Sequence, residues 1–392
     1  MLQEIYTYEK VSNDKNVVLF DSDEDLELFC YQECDNNSSD FLQNCRGLIF
    51  KNKKLFLKSY PYTQEYELGD PTYESCLENL DEWSFEPSYE GALLRLFFNN
   101  GKWILSTHKK LNAFKSRWSS YESFGNIFRK AVEKESKINP NFKLNTESNI
   151  LGNFYKMLNE KYQYMFLLRN NKENRLVCEG TSDDENSIFH VGTMHNLNFV
   201  EHDLGLKVPE RFEFKSIDEL NDFVYNKVDH TKTQGIFCYN KTKNVQLKIL
   251  HPEYFKLYQI RGNQSSLKFR YLQLRNDEEK LKSFLELYSD KKQDFQEYEN
   301  IISHITQTLF DTYFAKYINK KYIRLNSRDY NILKECHNWH VQDRKNNRIS
   351  LAKVSQVLNE QTPTCINHMI KRYKKELYDT QKENYETPVQ LE

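Results

Sequence analysis

Short apolar runs separated by polar turns dominate the first 250 residues of the chain. The runs 92–97 and 103–106 flank Asn99-Asn100-Gly101, which is typical of a hairpin turn because Asn and Gly tolerate positive φ. The runs 235–239 and 245–250 repeat this pattern around a polar turn. The spacing therefore predicts two β-hairpins. Further strands are predicted at 17–20, 47–50, 54–60, 164–168 and 175–178.

A helical period interrupts the strands at two places. An apolar face over 124–131 predicts a helix that Pro140 ends, and a second helix is predicted at about 147–161. Ser216 stands three residues before Glu219, which is the spacing of a capping box. This spacing predicts a helix that continues to about residue 228.

After residue 250 the pattern becomes almost entirely helical. Helices are predicted near 253–260, 277–288, 295–319, 327–341, 350–360 and 364–378. The change in pattern predicts an α+β fold with a sheet-containing domain at 1–265, a basic helical domain at 266–380 and a polar tail at 381–392.

Charge is distributed unevenly along the 392 residues, although the net charge is only −2. Residues 21–40 and 67–90 each carry eight acids and no Lys or Arg, whereas residues 316–375 carry 14 Lys or Arg against 4 acids. A basic segment that also contains Tyr and Trp suits the backbone of RNA or DNA. The alternative is a solvated helical face.

Cysteine use and hydropathy bear on location. The eight cysteines form no CxxC pair, which indicates free thiols in a reducing compartment. The first residues lack the pattern of a signal peptide, and no apolar run approaches the ~18 residues of a transmembrane helix. We therefore expect a soluble protein in the cytoplasm.

Two pairs of side chains have the spacing of metal ligands. Cys336 and His340 are one helical turn apart, and Cys365 and His368 are three residues apart. Four sulfur and nitrogen ligands could form a structural zinc site. The alternative is a pair of packed helices, in which Trp339 could also stack on a base.

The stretch 88–91 opens the first hairpin with Ser88, Tyr89, Glu90 and Gly91. A carboxylate at the mouth of a strand pair can accept a ribose hydroxyl, and a glycine lets a nucleotide approach the backbone. The same residues also suit an ordinary surface turn, because short motifs match often by accident.

Two cations stand at the ends of earlier strands. Arg46 precedes the strand at 47–50, and Lys58 lies near the end of the next one. Guanidinium and ammonium groups at adjacent strand ends make a phosphate site, or simply surface charges.

Five short pieces stand in a recognisable order: Arg46-Gly47, 88–91, 174–177, Gln234-Gly235 and Leu247-Lys248. In this order and spacing the chain resembles the covalent nucleotidyltransferases. Within them it is similar to RNA ligases of the phage T4 RNA ligase 1 type and to related proteins of large DNA viruses. The resemblance runs from about residue 40 to residue 260. It implies a nucleotidyltransferase (ATP-grasp-like ligase) domain of two antiparallel sheets around a cleft.

The resemblance also implies a chemistry. In that family a lysine attacks the α-phosphate of ATP, AMP passes to an RNA 5′-phosphate, and a 3′-hydroxyl displaces it with the help of Mg²⁺ or Mn²⁺. By position, Glu90 would hold the ribose, and Gly91 would allow close approach. Arg46 would orient a phosphate of RNA or ATP, and Lys248 would contact the α-phosphate.

Other positions follow from the same resemblance. Asn174 and Arg175 would stand in a strand that flanks the nucleotide. Gln234 and Gly235 would occupy the position of a metal-binding glutamate and its glycine. Virions and viral factories join the cytoplasm as expected locations.

Three departures from the family's pattern affect the predicted activity. Ser88 occupies the position of the nucleophilic lysine, and serine cannot form the phosphoramidate adduct. The strand 165–168 has no glutamate for the base or ribose, and Gln234 replaces the metal-binding glutamate. An amine from Lys109, Lys110 or Lys115 could substitute for the missing lysine.

Three functions therefore remain open. The first is an ATP-dependent RNA ligase that acts on RNA ends, as in RNA repair. The second is a catalytically inactive protein that binds nucleotide or RNA. The third is a capping-type guanylyltransferase, against which Ser88 counts equally.

Overall fold

The computed structural model describes residues 5–145, 149–172, 174–179, 185–240, 242 and 244–386, with side chains up to residue 379. Its internal contacts divide the chain into two units, Met1–Gln259 and Ile260–Glu392. The division lies close to the predicted boundary near residue 265. The first unit mixes strands and helices and the second is helical, so the predicted α+β class is confirmed.

The first unit is built on strands from three sheets. In chain order the strands are β1 (Val17–Asp23), β2 (Leu26–Tyr31), β3 (Leu48–Lys51), β4 (Lys54–Leu57), β5 (Gln64–Glu67), β6 (Ser84–Pro87), β7 (Ala92–Asn99), β8 (Lys102–Ser106), β9 (Gln163–Arg169), β10 (Ser187–His195), β11 (Asn198–Val200), β12 (Gly235–Asn240) and β13 (Val245–Leu250).

The strand order defines the three sheets. The first sheet is β1-β2-β3-β4, the second is β11-β10-β9-β7-β8, and the third is β5-β13-β12-β6. Neighbouring strands are antiparallel except β5 and β13, which run parallel from the Gln64–Leu247 pair to the Glu67–Leu250 pair. The prediction of two antiparallel sheets was therefore incomplete, because residues 17–57 form a sheet of their own.

Both predicted hairpins are present. Strands β7 and β8 pair from Arg95–Ser106 to Asn99–Lys102, and Asn100 and Gly101 both have positive φ, at 47° and 78°. Positive φ at both central residues matches the right-handed twist of the strands. Strands β12 and β13 form the second hairpin, whose turn includes residues 241 and 243, outside the described residues.

Helices of the first unit cover the sheets. They are α1 (Tyr8–Ser12), α2 (Asp40–Asn44), α3 (Pro71–Cys76), α4 (Phe124–Ile138), α5 (Ile150–Tyr155) and α6 (Ile217–Asn226), and α7 (Pro252–Arg261) contains the division between the units. The Ser123 hydroxyl caps α4. The buried face of α4 packs with Leu94 and Phe166 of the second sheet. The Ser216 hydroxyl caps α6 by accepting from the Glu219 amide, as the spacing predicted.

The second unit is a helical body. Its further helices are α8 (Leu267–Leu274), α9 (Glu278–Leu287), α10 (Lys292–Tyr313), α11 (Ser327–Gln342), α12 (Leu351–Asn359) and α13 (Pro363–Glu386), with a π turn at Phe314–Ile318. Phe284, Ile305, Leu333 and Ile370 lie in one buried apolar core.

The short helices α1, α2 and α3 of the first unit were not predicted, and two helices of the second unit also differ from the predictions. Helix α8 was not predicted, and α13 runs past the predicted end at 378 into the polar tail. In the described part of the chain, every helix is too short or too polar to traverse a bilayer.

Candidate functional site

A cavity of about 1070 Å³ lies between the second and third sheets of the first unit. Leu93, Leu167 and Gly192 line it from β7, β9 and β10. Glu86, Phe237 and Lys248 line it from β6, β12 and β13, and the segment 199–211 adds further contacts. The cleft that the resemblance implied therefore has a counterpart, formed by the faces of two sheets.

The predicted site residues fall into two groups around this cavity. Arg46, Ser88, Gly91 and Lys248 are among its lining residues. Five others are not among them, namely Glu90, Asn174, Arg175, Gln234 and Gly235. The substitute amines Lys109, Lys110 and Lys115 do not line it either, nor does Lys58.

Ser88 begins a chain of hydrogen bonds that runs behind the cavity. Its hydroxyl donates to Gln234 Oε1 at 2.9 Å, and Gln234 Nε2 donates to the Tyr254 hydroxyl at 2.7 Å. Tyr254 in turn donates to Glu90 Oε1 at 3.0 Å. The four side chains are buried, and we call them the polar chain. Backbone bonds from Ser88 N to Gly235 O and from Gln234 N to Ser88 O hold its start.

Glu90 ends the polar chain on a segment without regular structure. Its carboxylate accepts from the amides of Leu176, Val177 and Cys178 at 2.9, 2.7 and 3.1 Å. Three consecutive amides cannot converge on one carboxylate from a strand, whose amides alternate in direction. The strand predicted at 175–178 is therefore wrong.

Burial also determines the protonation state of Tyr254 in the polar chain. Burial, with Glu90 beside it, raises the pKa of Tyr254 well above its ordinary value. The phenol therefore keeps its proton at neutral pH and donates to Glu90. The carboxylate predicted to hold a ribose instead holds three amides and a phenol.

Asn174 and Arg175 directly precede the three amides that Glu90 binds, and each makes a polar contact with another residue. The Asn174 amide donates to the Trp118 carbonyl, and the Arg175 guanidinium lies 3.3 Å from the Glu179 carboxylate.

The two predicted glycines are required by strand packing. A Cβ on Gly91 would lie 2.7 Å from the Leu168 carbonyl oxygen of β9. Gly235 has φ +150°, and a Cβ there would lie 2.0 Å from the Ile249 carbonyl oxygen of β13. Only glycine fits such close approach of two strands.

Three cations face the cavity, and we call them the cation wall: Arg46, Lys248 and Arg211. Lys248 Nζ lies 3.2 Å from Glu65 Oε1, and Arg211 Nε lies 3.8 Å from Glu86 Oε1. Arg46 donates to the Pro61 carbonyl at 3.0 Å, whereas its buried Nε has no hydrogen-bond partner among the described residues.

Arg95 of β7 positions Arg46 from behind. Its guanidinium is fully buried and donates to the carbonyls of Gly47 and Thr107, the latter at 2.9 Å. Burial lowers the pKa of Arg95 to about 10, so it remains charged at neutral pH. Gly47 follows Arg46 directly, with φ +66° and no room for a Cβ beside His108. No sequence pattern indicated this buried arginine, which lies within an apolar run.

The cavity also has aromatic and histidine side chains. Tyr89 stacks on Phe189 with ring centroids 5.1 Å apart, and the Arg169 guanidinium lies 4.2 Å from the centroid of the Tyr89 ring. His190 Nε2 lies 2.8 Å from Thr193 Oγ1, and burial lowers the pKa of His190 to about 4. His190 is therefore neutral at pH 7.

The predicted zinc site is not formed. No group of three or more His, Cys, Asp or Glu side chains in the described ranges is placed to hold a metal ion. Cys336 is buried in the apolar core of the second unit, and His340 Nδ1 lies 2.6 Å from the Asn347 carbonyl oxygen. Cys365 packs against that core, and His368 is exposed.

Comparison with known proteins finds viral relatives. No protein-family profile matches the chain. It is 29% identical over 371 residues to an "Immediate-early protein ICP-46 homolog" of Invertebrate iridescent virus 6, covering 88% of this chain and 80% of that protein. A homologue of the same description from Invertebrate iridescent virus 3 is 24% identical over 294 residues, covering 72% of this chain and 62% of that protein.

The solved structures that match the chain include ligases. A putative ATP-dependent DNA ligase from Aquifex aeolicus has a TM-score of 0.41 and 13% identity, covering 74% of this chain and 79% of that one. An archaeal ATP-dependent RNA ligase, form 1, has a TM-score of 0.39 and 10% identity, covering 72% and 77%. TM-scores this low establish no activity for this chain.

Proposed function

We propose that the first unit binds a nucleotide, or the phosphate end of an RNA strand, in the cavity without becoming covalently nucleotidylated. The observation that carries this proposal is the polar chain. It joins the position of the expected nucleophile to the fold through buried hydrogen bonds, and leaves the cation wall facing the cavity.

The polar chain argues against covalent chemistry. A lysyl adduct needs an amine, and Ser88 offers a hydroxyl that already donates to Gln234. A magnesium ion prefers carboxylate oxygens, but Gln234 presents a neutral amide whose nitrogen donates to Tyr254. ATP with Mg²⁺, the cofactors of the ligase reaction, therefore does not fit these residues as a reacting pair.

The cation wall argues for binding. Arg46 and Lys248 line the cavity at the positions that the resemblance gives to phosphate contacts. Guanidinium groups bind phosphate oxygens in pairs, and lysine adds a compact positive charge. A volume of about 1070 Å³ is at the upper end of typical ligand pockets and accommodates a nucleotide.

The aromatic side chains support recognition of a base. Tyr89 lines the cavity and is held between Phe189 and Arg169, so its orientation is fixed before a ligand arrives. Because Phe189 and Arg169 cover the faces of the ring, Tyr89 can meet a base only through its edge and hydroxyl, and its fixed orientation costs little entropy on binding.

The test separates binding from chemistry. Pure full-length protein is incubated with α-labelled ATP or GTP and with Mg²⁺ or Mn²⁺, then run on a denaturing gel. No labelled band is expected. In parallel, ATP binding is measured by calorimetry, and binding of a 5′-phosphorylated RNA oligonucleotide is measured by anisotropy. Arg46→Ala/Lys248→Ala should weaken both by about tenfold or more, because two charged contacts to phosphate are lost.

Lys137→Ala provides the control, because Lys137 is exposed, pairs with Glu133 on α4 and is not among the residues that line the cavity. A labelled band that maps to any residue would overturn the noncovalent proposal. Undiminished binding in the double variant would overturn the site. RNA joining that requires a pre-adenylated donor would replace simple binding with the final step of a ligase, in which a 3′-hydroxyl displaces AMP.

A further inference from the structure

Helices α12 and α13 of the second unit are joined by only three residues, Glu360, Gln361 and Thr362. The Thr362 hydroxyl accepts from the Cys365 amide at 3.2 Å, and Pro363 takes the first helical position, where a missing N–H costs nothing. Two helices joined by a turn of three or four residues have the form of a helix-turn-helix.

The inner faces of the two helices are apolar and buried. Val354, Val357 and Leu358 of α12 belong to the core of the second unit, as do Ile366, Met369 and Ile370 of α13. Both helices are therefore held in place by packing.

Ion pairs add to this anchoring on the inner side of α13. Arg372 Nη2 lies 2.7 and 2.8 Å from the two carboxylate oxygens of Asp329 on α11. Lys374 Nζ lies 2.6 Å from Glu297 on α10. Arg372 and Lys374 are therefore paired with carboxylates of the second unit.

The outer face of α13 carries a different set of side chains. Thr364, His368, Lys371 and Lys375 are exposed, with Asn367 half-buried beside them. Their spacing of three or four residues places them along one face of the helix. Lys and Asn side chains are the common partners of guanine and adenine edges in the major groove, and the Thr methyl suits thymine.

Further exposed cations precede α12 in the chain. The segment before α12 exposes Arg344, Lys345 and Arg348. Residues 343–375 contain eight Lys or Arg and two acids, Asp343 and Glu360. Exposed cations in the helical unit that presents this polar helix face complement the phosphates of a nucleic acid.

We propose that α13 enters the major groove of duplex DNA while the segment 343–350 and α12 contact the DNA backbone. The helical shape of the reading surface favours DNA over RNA. The major groove of B-DNA admits an α-helix, whereas that of A-form RNA is too deep and narrow. This site lies in the second unit and does not depend on the cavity of the first.

The full chain is tested by fluorescence anisotropy with a labelled DNA duplex of about 20 base pairs, at about 50 and 200 mM salt. Duplex RNA and single-stranded RNA of the same sequence serve as competitors. The duplex DNA should bind best, and its affinity should fall steeply with salt. The variant Asn367→Ala/His368→Ala/Lys371→Ala should bind the DNA duplex about tenfold more weakly, or weaker still, because several groove contacts are lost.

Lys282→Ala on the exposed side of α9 is the matched control and should bind as the wild type does. Circular dichroism melting of the triple variant should be unchanged, because His368 and Lys371 are exposed and Asn367 is only half-buried. Equal affinity of the triple variant and wild type would overturn the proposal. A preference for single-stranded or duplex RNA would overturn it as well.

Discussion

The polar chain and the cation wall lie in the same unit and differ in burial, charge and hydrogen-bond partners. The polar chain is buried, contains no cation and ends on three backbone amides. The cation wall lines an open cavity. Ser88 and Gln234, which were expected at positions of covalent chemistry, are thus tied into buried hydrogen bonds, whereas Arg46 and Lys248, which were expected to contact phosphate, line the cavity.

The largest effect should follow a break in the polar chain. Glu90→Ala leaves three amides and the Tyr254 hydroxyl without their acceptor inside the protein. Buried unsatisfied donors cost ~1–3 kcal/mol each, and partial rescue by water should leave a loss of about 3–5 kcal/mol in the free energy of unfolding. Urea denaturation followed by circular dichroism measures this loss.

Glu179→Ala is the control for that experiment. Its carboxylate also belongs to the segment that Glu90 holds, but the Glu179 side chain is 70% exposed and pairs with Arg175, whose side chain is 15% exposed. Its removal should cost less than ~1 kcal/mol. Equal losses in the two variants would show that the polar chain contributes nothing special.

A smaller effect should appear in the pH dependence of stability. Burial lowers the pKa of His190 from 6.5 to about 4, so the unfolded chain binds more protons between these values. The contribution of His190 to stability is therefore complete above pH 6.5 and declines as the pH falls toward 4, by about 2–3 kcal/mol. Thermal melting across this range should show a flatter decline in His190→Gln. Identical profiles for variant and wild type would assign the decline to other groups and leave the neutral state of His190 without support.

The smallest effect concerns the cation wall. Glu65→Gln removes the carboxylate that lies 3.2 Å from Lys248 Nζ. In the wild type, a bound phosphate must compete with this carboxylate for Lys248. A partly exposed ion pair is worth up to ~1 kcal/mol, so ATP should bind about two- to fivefold more tightly. Glu133→Gln, which removes the partner of Lys137 on α4, should leave ATP binding unchanged. Weaker binding in Glu65→Gln would mean that Glu65 itself contacts the ligand.

Local signals were sufficient to predict much of the fold. The Asn-Gly turn and the capping serine of α6 act over a few residues, and both lie where the sequence placed them. The parallel pairing of β5 with β13 joins residues 183 positions apart, which no local pattern reports. Helix α8 was missed because its short apolar face resembles a loop in sequence.

The site was harder to predict for the same reason. Arg46, Ser88 and Lys248, which the resemblance predicted as site residues, line one cavity, and their roles there stay predictions. The resemblance could not show that Glu90 binds amides, because those amides come from a segment 86–88 residues away along the chain. Tyr254 and Arg95 lie in runs that read as ordinary helix and strand, and only the folded chain shows their partners.

The parallel pairing of β5 also has a consequence for synthesis on the ribosome. Strand β5 is synthesised before its partner β13, and the interval is about 10–40 s at ordinary translation rates. During this time its edge is a template for pairing with other chains. Two features suit it to the delay: Glu65 and Glu67 make the strand acidic, and Asn36 bonds both the amide and the carbonyl of Glu65. In a nascent chain that reaches only residue 240, the acidic side chains of β5 and the bonds from Asn36 therefore oppose aggregation while the third sheet is still incomplete.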